Sequence, residues 1–492
     1  MRPGQRADRP AEGTQALPPI DAGRVLLVHG TELLHLELDE PVQERVLAPD
    51  VRVQRHRGQP DAFGHGTHLA GIIAGSDVAP GASSRGCSTC TGSSAYTDTT
   101  KFVGIAPGAT IVNVKVGAYD GSVDITQIIA GIDWVVQHRN DPGMNIRVLN
   151  LSFGTDSVQS AQVDPLVYAV EQAWNAGIVV VAAGGNDGDK PGPLADPAVS
   201  PAVIAVGATD PHGTLKTSDD TVADFAQHGT RARPVDVAAP GVSVLSLAVP
   251  GGFVDQNATT GKVGTRYQRA SGTSQSTAVV SGLVALLLGK FPNSSPDAIK
   301  TLLTSTGVSI FDNGGKDASY LGAGLASVQS LASMLGILVN GLLRLVLPPH
   351  TDGVGTGSLE AARGTYHVFI DGAVLAGEAD IFGQPWNPQT MAQLTRARST
   401  WTGSVWNGST WAGDHWEGLV WAHQEWTGND WTGARWSGAR WTDGVWDGAR
   451  WSGARWSGAR WSGARWTDAG WDGARWSGAR WSGARWSDAG WD

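Results

Sequence analysis

Between residues 111 and 206, short apolar runs alternate with amphipathic stretches, and that alternation limits the chain to few folds. Ile111–Val116 reads IVNVKV, Val148–Phe153 reads VLNLSF, Ile178–Ala183 reads IVVVAA and Ala202–Val206 reads AVIAV. These are runs of strand length suited to burial, whereas Val123–His138 and Pro165–Asn175 carry the spacing of helices. The order strand, helix, strand predicts an α/β fold: a doubly wound, mostly parallel sheet with helices on both faces. In that architecture chemistry collects at the C-terminal ends of the strands. With 492 residues, 41% of them hydrophobic, there is material for a large core and for two or three domains. The 36 basic and 46 acidic side chains leave a net charge of −10, which argues against a nucleic-acid partner and fits a soluble enzyme.

Three segments carry residues suited to catalysis. In Arg269-Ala-Ser-Gly272-Thr273-Ser274-Gln275-Ser276-Thr277-Ala278, a serine preceded by small residues opens the apolar run Val279–Leu288. That serine is expected at a helix N-terminus, where unpaired N–H groups and the helix dipole favour an oxygen attacking a carbonyl. A plain N-cap is the alternative reading. In Asp61-Ala-Phe-Gly64-His65-Gly66-Thr67-His68, a histidine between glycines precedes a helix rich in small residues. An imidazole that titrates near neutrality is the base a hydroxyl nucleophile needs, although a capping or core histidine fits the same local pattern. The strand Ile178–Ala183 ends in Gly184-Gly185-Asn186-Asp187-Gly188. An asparagine held there can donate to an oxyanion, and an Asn-Asp-Gly turn is the competing reading.

Taken together, His65 in Gly64-His65-Gly66-Thr67-His68, Asn150-Leu-Ser152-Phe-Gly154, Ala183-Gly-Gly-Asn186, Pro201-Ala-Val-Ile-Ala-Val-Gly207, Ala239-Pro240-Gly241 and Gly272-Thr273-Ser274 resemble the subtilisin-like serine peptidases, the subtilases. Their order and spacing match that family over roughly Gly13–Leu331. The resemblance implies Ser274 as nucleophile, His65 as general base, and Asn186 with the Ser274 backbone N–H as oxyanion hole. It implies that Leu151, Ser152, Phe153 and Gly154 pair with an extended protein or peptide substrate. Gln275 stands where methionine is usual, Ala278 where proline is usual, and Gly184 where alanine often occurs. A subtilase aspartate lies in Asp-Ser/Thr-Gly at the end of an apolar strand upstream of the histidine. This chain has no such tripeptide. In one register Val25–Val28 is that strand and His29 takes the acid's place. In the other, which is favoured, Gly13 is the motif glycine and Ala11 stands for the aspartate, with Asp8 and Glu12 as the nearest substitutes.

The remaining features bound the organisation. Residues 1–19 hold no apolar run and read as neither signal peptide nor membrane anchor, whereas the family implies a secretion signal and an extracellular location. The front of the chain is therefore expected to be truncated or degenerate. Leu331–Leu347 is too short and too interrupted to span a membrane. Cys87 and Cys90 read as a loop staple or two idle thiols rather than half of a zinc site. No cofactor is expected; structural calcium is common in the family, but Asp312-Asn-Gly-Gly-Lys-Asp317 is too weak a signal to name as a site. The expected units are a degenerate segment 1–19, a peptidase domain 20–335, a connecting segment 336–400 with short strands, and a tail 401–492. In that tail nineteen of the 22 tryptophans recur at every fifth position, from Trp401 to Trp491. A five-residue step scatters tryptophans round a helix and alternates them across a strand, so the tail reads as flexible, with a pentad solenoid or an aromatic binding strip as the sharper alternative. Removing it is expected to leave the peptidase core folded, and cell-surface material is the partner it suggests. Two function classes stand: a serine endopeptidase, and a catalytically inactive homologue that binds through its cleft or tail.

Overall fold

A computed structural model of the chain describes residues 24–29 as backbone, 61, 63–76, 102–117, 121–188, 192–214, 217–258, 260–308, 322–326, 352–370, 373–403 and 405–410, with short strand pairs beyond. Asp8, Ala11, Glu12, Gly13, Cys87, Cys90, Asp312–Asp317 and Leu331–Leu347 lie outside the described residues.

The first part of the chain runs β1 (Arg24–His29), α1 (His65–Ala74), β2 (Thr110–Lys115), α2 (Ile125–His138), β3 (Ile146–Leu151), α3 (Pro165–Asn175), β4 (Val179–Ala183) and β5 (Ile204–Asp210). It continues through β6 (Thr221–Val222), β7 (Val237–Pro240), β8 (Val244–Leu247), α4 (Phe253–Asn257), β9 (Lys262–Val263), β10 (Tyr267–Ala270), α5 (Thr273–Lys290) and α6 (Pro296–Ser305). A 7-stranded sheet has the order β2-β1-β3-β4-β5-β6, with β7 also pairing β5. Its pairs are parallel except that β6 runs against β5. The α/β fold expected from the alternation is the fold observed. Every residue of β4 is buried, which is why that segment is continuously apolar rather than alternating. α5 lies across β3, β4, β5 and β7 and packs on α1, while α2 and α3 pack on each other, with α2 on β1 and α3 on β4.

Local chemistry sets the helix starts. Asp124 and Gln127 form a capping box on α2, with Thr126 N–H donating to Asp124 Oδ1 at 2.9 Å and Asp124 N–H to Gln127 Oε1 at 2.6 Å. Asp164 caps α3, and Pro165 fills its first position, where a missing N–H costs nothing. α5 differs: no side chain caps its N-terminus. Its first N–H groups are left to other partners.

The C-terminal part is more closely joined to this body than the division at residue 400 anticipates. α7 (Leu359–Arg363), β11 (Phe369–Ile370), β12 (Ala373–Val374) and α8 (Pro388–Ala397) precede a three-stranded antiparallel sheet of β13 (Trp401–Thr402), β14 (Val405–Trp406) and β15 (Ser409–Thr410). Leu359, Ala362, Trp386, Met391 and Trp406 belong to the same hydrophobic core as β3 and β4. Trp406 is fully buried and donates from Nε1 to Asp133 Oδ2 at 3.1 Å. Trp401 donates from its backbone N–H to Gln137 Oε1 at 2.8 Å and from Nε1 to the Ala130 carbonyl at 2.9 Å. Arg363, also buried, places Nε 2.7 Å from Asp124 Oδ2, so the residue that caps α2 also anchors α7. The repeat therefore begins inside the body: Trp406 is a core residue and Trp401, half-buried, packs against that core.

Further along, β18 (Val445–Trp446), β20 (Arg465–Trp466) and β22 (Arg485–Trp486) pair in parallel, Trp446 beside Trp466 and Trp466 beside Trp486. β19 (Trp456–Ser457) and β21 (Trp476–Ser477) pair in the same way, while β16 (Val420–Trp421) and β17 (Gln424–Glu425) run antiparallel. The parallel partners are four pentads apart. Such a step aligns like residues, which consecutive pentads along one strand cannot do.

Two outcomes are expected. A chain ending at residue 410 should keep the thermal midpoint of the full chain, whereas one ending at residue 400 should melt lower, because emptying a buried tryptophan site costs about 3–5 kcal/mol. Equal midpoints by scanning calorimetry would show that the Trp406 seat contributes nothing. Burial pushes the Asp133 carboxyl up to about 7 against the opposing hydrogen bonds of Trp406, Thr395 and Thr400. A raised carboxyl contributes stability that is present below its ordinary value near 3.8 and lost as pH rises through about 7. Asp133→Asn keeps an acceptor and cannot ionise, so its midpoint should rise relative to the native chain as pH goes from about 5 to about 8. A difference that does not change with pH would overturn that assignment.

Candidate active site

The end of β10 turns through Ser271 and Gly272 into α5, and Ser274 is the second residue of that helix. His65 is the first residue of α1, the helix that packs against α5. Both side chains are buried, Ser274 at 4% exposure and His65 at 0%. His65 and Ser274 thus lie in the first turns of two helices that pack on each other. Each bears one of the two groups expected to exchange a proton.

Asn186 follows β4. Its Oδ1 accepts from the Thr273 backbone N–H at 2.8 Å and from Thr273 Oγ1 at 2.9 Å. With its oxygen engaged twice, the carboxamide is turned so that its NH₂ end faces away from Thr273. Asn186 is thereby tied to Thr273, the residue before Ser274. The chain can take this path because Gly185 has φ +113, and because a Cβ there would lie 1.6 Å from Gln227 Oε1.

A second set of hydrogen bonds ties α5 to β3. Ser281 Oγ donates to Asn150 Oδ1 at 2.8 Å, Asn150 Nδ2 donates to Ser152 Oγ at 3.1 Å, and Ser152 Oγ donates to the Ser274 carbonyl at 3.1 Å. β3 ends at Leu151, and Ser152, Phe153 and Gly154 continue beyond the sheet to Thr155, which exchanges backbone bonds with Asp196 at 3.0 and 2.9 Å. Leu151, Ser152, Phe153 and Gly154 are all buried, and Leu151 and Phe153 pack in the core.

Asp61 is fully buried and accepts from the backbone N–H groups of Phe63 (3.2 Å), Gly64 (2.8 Å) and Thr67 (2.8 Å). It closes the turn that presents His65 and caps α1, whose N-cap residue Gly64 has no side chain to do so. Burial raises its carboxyl to about 6 despite those donors. Because its oxygens accept from three backbone N–H groups, Asp61 orders the turn. His68, by contrast, is held near 3 by burial, too low to serve as a base near neutrality.

The structure thus bonds Ser152 to the Ser274 carbonyl and Asn186 to Thr273, the residue before Ser274, and sets His65 on the helix that packs against α5. Of the two registers for the missing acid, the strand between β2 and β3 is Arg24–His29, and the residue that closes it is His29. Ala11 and Gly13 lie outside the described residues. Sequence reasoning quoted Asp61, Thr273 and Asn150 within their motifs without giving them a role, and did not name Ser281. For Asp61 a signal existed, an aspartate just before a helix start, but the partners of Asn150 and Thr273 are remote in sequence. Among the described residues, no group of three or more His, Cys, Asp or Glu side chains is placed to hold a metal ion, and no helix is long and apolar enough to cross a membrane.

Comparison with known proteins adds the following. The family model described as Subtilase family matches residues 38–324. Serine protease AprX of Bacillus subtilis (strain 168) is 38% identical over 277 residues, 55% of this chain and 58% of that protein. Subtilisin DY of Bacillus licheniformis is 32% identical over 274 residues, 55% of this chain and 78% of that protein. Among solved structures, Sphericase is 27% identical with a TM-score of 0.42, covering 55% of this chain and 79% of that one. The chain thus spans 58% of the length of AprX.

Replacing Asn150 by alanine strands Ser281 Oγ in the core and removes one donor from Ser152 Oγ, which keeps its bond to the Ser274 carbonyl, and is expected to cost about 1–3 kcal/mol in urea denaturation. Adding Ser281→Ala should recover part of that loss, since the orphaned donor goes with it. Losses that simply add in the double variant would show that the four residues do not act as one network.

Proposed function

Because the chain belongs to the subtilase family, whose model spans residues 38–324, we propose that it is a serine endopeptidase acting on proteins and peptides through an acyl-enzyme on Ser274. A substrate strand lies along Ser152–Gly154. Ser274 Oγ attacks the scissile carbonyl as His65 takes its proton, and His65 then gives that proton to the leaving amine. Asn186 Nδ2 and the Ser274 backbone N–H stabilise the oxyanion. Water admitted after the amine departs repeats the sequence and frees the serine. The observation that supports this reading is the double engagement of Asn186 Oδ1 by Thr273, the residue before Ser274. An extracellular location and binding of cell-surface material by the tail extend the same proposal from the family to this chain.

A second reading, an inactive homologue that binds peptide in its cleft, rests on the residue that closes β1. There the family places its aspartate and this chain has His29. Without an acid on its far nitrogen, an imidazole is free to take the wrong tautomer, and turnover falls by about four orders of magnitude. Donors at the oxyanion site survive that loss, so a residual rate of about 10³-fold over water is expected from the chain as it stands.

The test combines turnover of a peptide ester with labelling by a serine-directed phosphonate, in the native chain and in the Ser274→Ala and His29→Asp variants. Slow labelling that Ser274→Ala abolishes, and turnover that His29→Asp raises by about 100-fold or more, is the expected result. Full turnover in the native chain would mean that another acid serves His65. Absence of labelling in all three proteins would leave the binding reading.

A further inference from the structure

Resting on the peptidase reading, we propose that residues 353–365, about two hundred positions beyond the groove in sequence, are a positioning element that holds the outer wall of the substrate groove. The loop 155–164 runs directly on from Ser152–Gly154, and its outer residues Asp156, Val158 and Ser160 are exposed. On its inner side it is fixed by the pair of backbone bonds between Thr155 and Asp196. On its outer side nearly every contact comes from the C-terminal segment.

Those contacts follow the loop residue by residue. Thr155 Oγ1 donates to the Ala362 carbonyl at 2.8 Å, and Val158 N–H donates to the Ala361 carbonyl at 3.2 Å. Asp156 receives Thr365 N–H on Oδ1 at 2.8 Å and Thr365 Oγ1 on Oδ2 at 2.6 Å. Gln159 and Ser358 exchange bonds of 2.8 and 3.0 Å. Val354 N–H reaches the Gln162 carbonyl at 2.7 Å, and Gly357 N–H reaches the Val163 carbonyl at 2.7 Å. The clamp cannot shift freely, because its own anchor is the buried Arg363 on Asp124, with further bonds to the carbonyls of Gly377 and Ala379 at 2.6 and 2.5 Å.

The fit is close at Gly364, which has φ +62 and where a Cβ would meet Asp156 Oδ1 at 2.2 Å and the Asp156 carbonyl at 2.6 Å. Only a residue without a side chain lets segment and loop approach so nearly. Thr155 is the shared member: its backbone joins the Asp196 side and its hydroxyl joins the Ala362 side. A groove wall held from both sides presents a substrate strand with backbone groups already in place, and the ordering cost of binding is reduced accordingly.

The experiment uses the full chain and three variants, Gly364→Ala, Thr155→Val and Thr155→Ser. Amide hydrogen exchange is read at Thr155, Val158 and Asp196, with Val148 and Leu149 of β3 as internal reference. In the Ser274→Ala background, the Kd for a fluorescein-labelled eight-residue peptide is read by anisotropy. Gly364→Ala and Thr155→Val should each speed exchange at the three groove amides, and weaken peptide binding, by about fivefold, the scale of one lost hydrogen bond. The β3 amides should not change, and Thr155→Ser, which keeps the hydroxyl, should behave as the native chain does. Unchanged exchange at the groove amides overturns the proposal, as does acceleration that includes β3 equally. Failure of the Ser274→Ala parent to bind any peptide would count against the peptidase reading, and hydrogen exchange alone would then decide the positioning role.

Discussion

The N-terminus of α5 is an uncapped helix end inside the protein, and the site depends on how its first N–H groups are satisfied. A cap from its own side chains would fill the space beside Ser274. The chain uses a remote acceptor in its place: Asn186, at the end of β4, takes the Thr273 N–H and hydroxyl on one oxygen. Ser152, at the end of β3, meets the first turn from the other side by donating to the Ser274 carbonyl. The helix start is thereby tied to two neighbouring strand ends. Its register against the sheet is fixed where Ser274 emerges, and Asn186 cannot rotate without breaking both bonds to Thr273.

That arrangement explains which parts were legible in the sequence. The sheet was legible because buried parallel strands are apolar on both faces, and Ile178–Ala183 has no polar residue. The positions of Ser274, His65 and Asn186 were legible because glycines and a change of period mark each as the end of one element or the start of another. Asn150 and Ser281 left no such mark. Their bonds join residues 131 apart, and a polar residue inside an apolar run reads the same whether it is paired or not. The strand Val148–Phe153 also read two residues too long, since the apolar character of Phe153 continues past the point where ladder pairing stops at Leu151.

The C-terminal boundary misled for a related reason. A five-residue repeat suggests one structure from its first unit to its last, and low complexity suggests that none of it packs. Yet Trp401 and Trp406 find acceptors on α2, in Gln137, the Ala130 carbonyl and Asp133. A buried indole needs a partner for its N–H, and the body supplies one to each of these two. The repeat pattern cannot reveal this, because what separates Trp406 from later tryptophans is the surface it meets and not its neighbours in sequence.

The end of β1 brings these strands of argument to the chemistry. β1 lies between β2 and β3, so its last residue stands at the edge from which Ser152 and Asn186 also project. Asp61 shows that the chain can hold a carboxylate beside this edge, but it holds that one by three backbone N–H groups for the sake of the turn before α1. A carboxylate so engaged orders the backbone that leads into His65 and α1. The bonds of Ser152 and Asn186 to the start of α5, and those of the loop 155–164 to the segment beyond residue 352, do not involve Asp61. The close of β1 is thus a strand end whose neighbours β3 and β4 are joined to α5 by bonds that do not involve it.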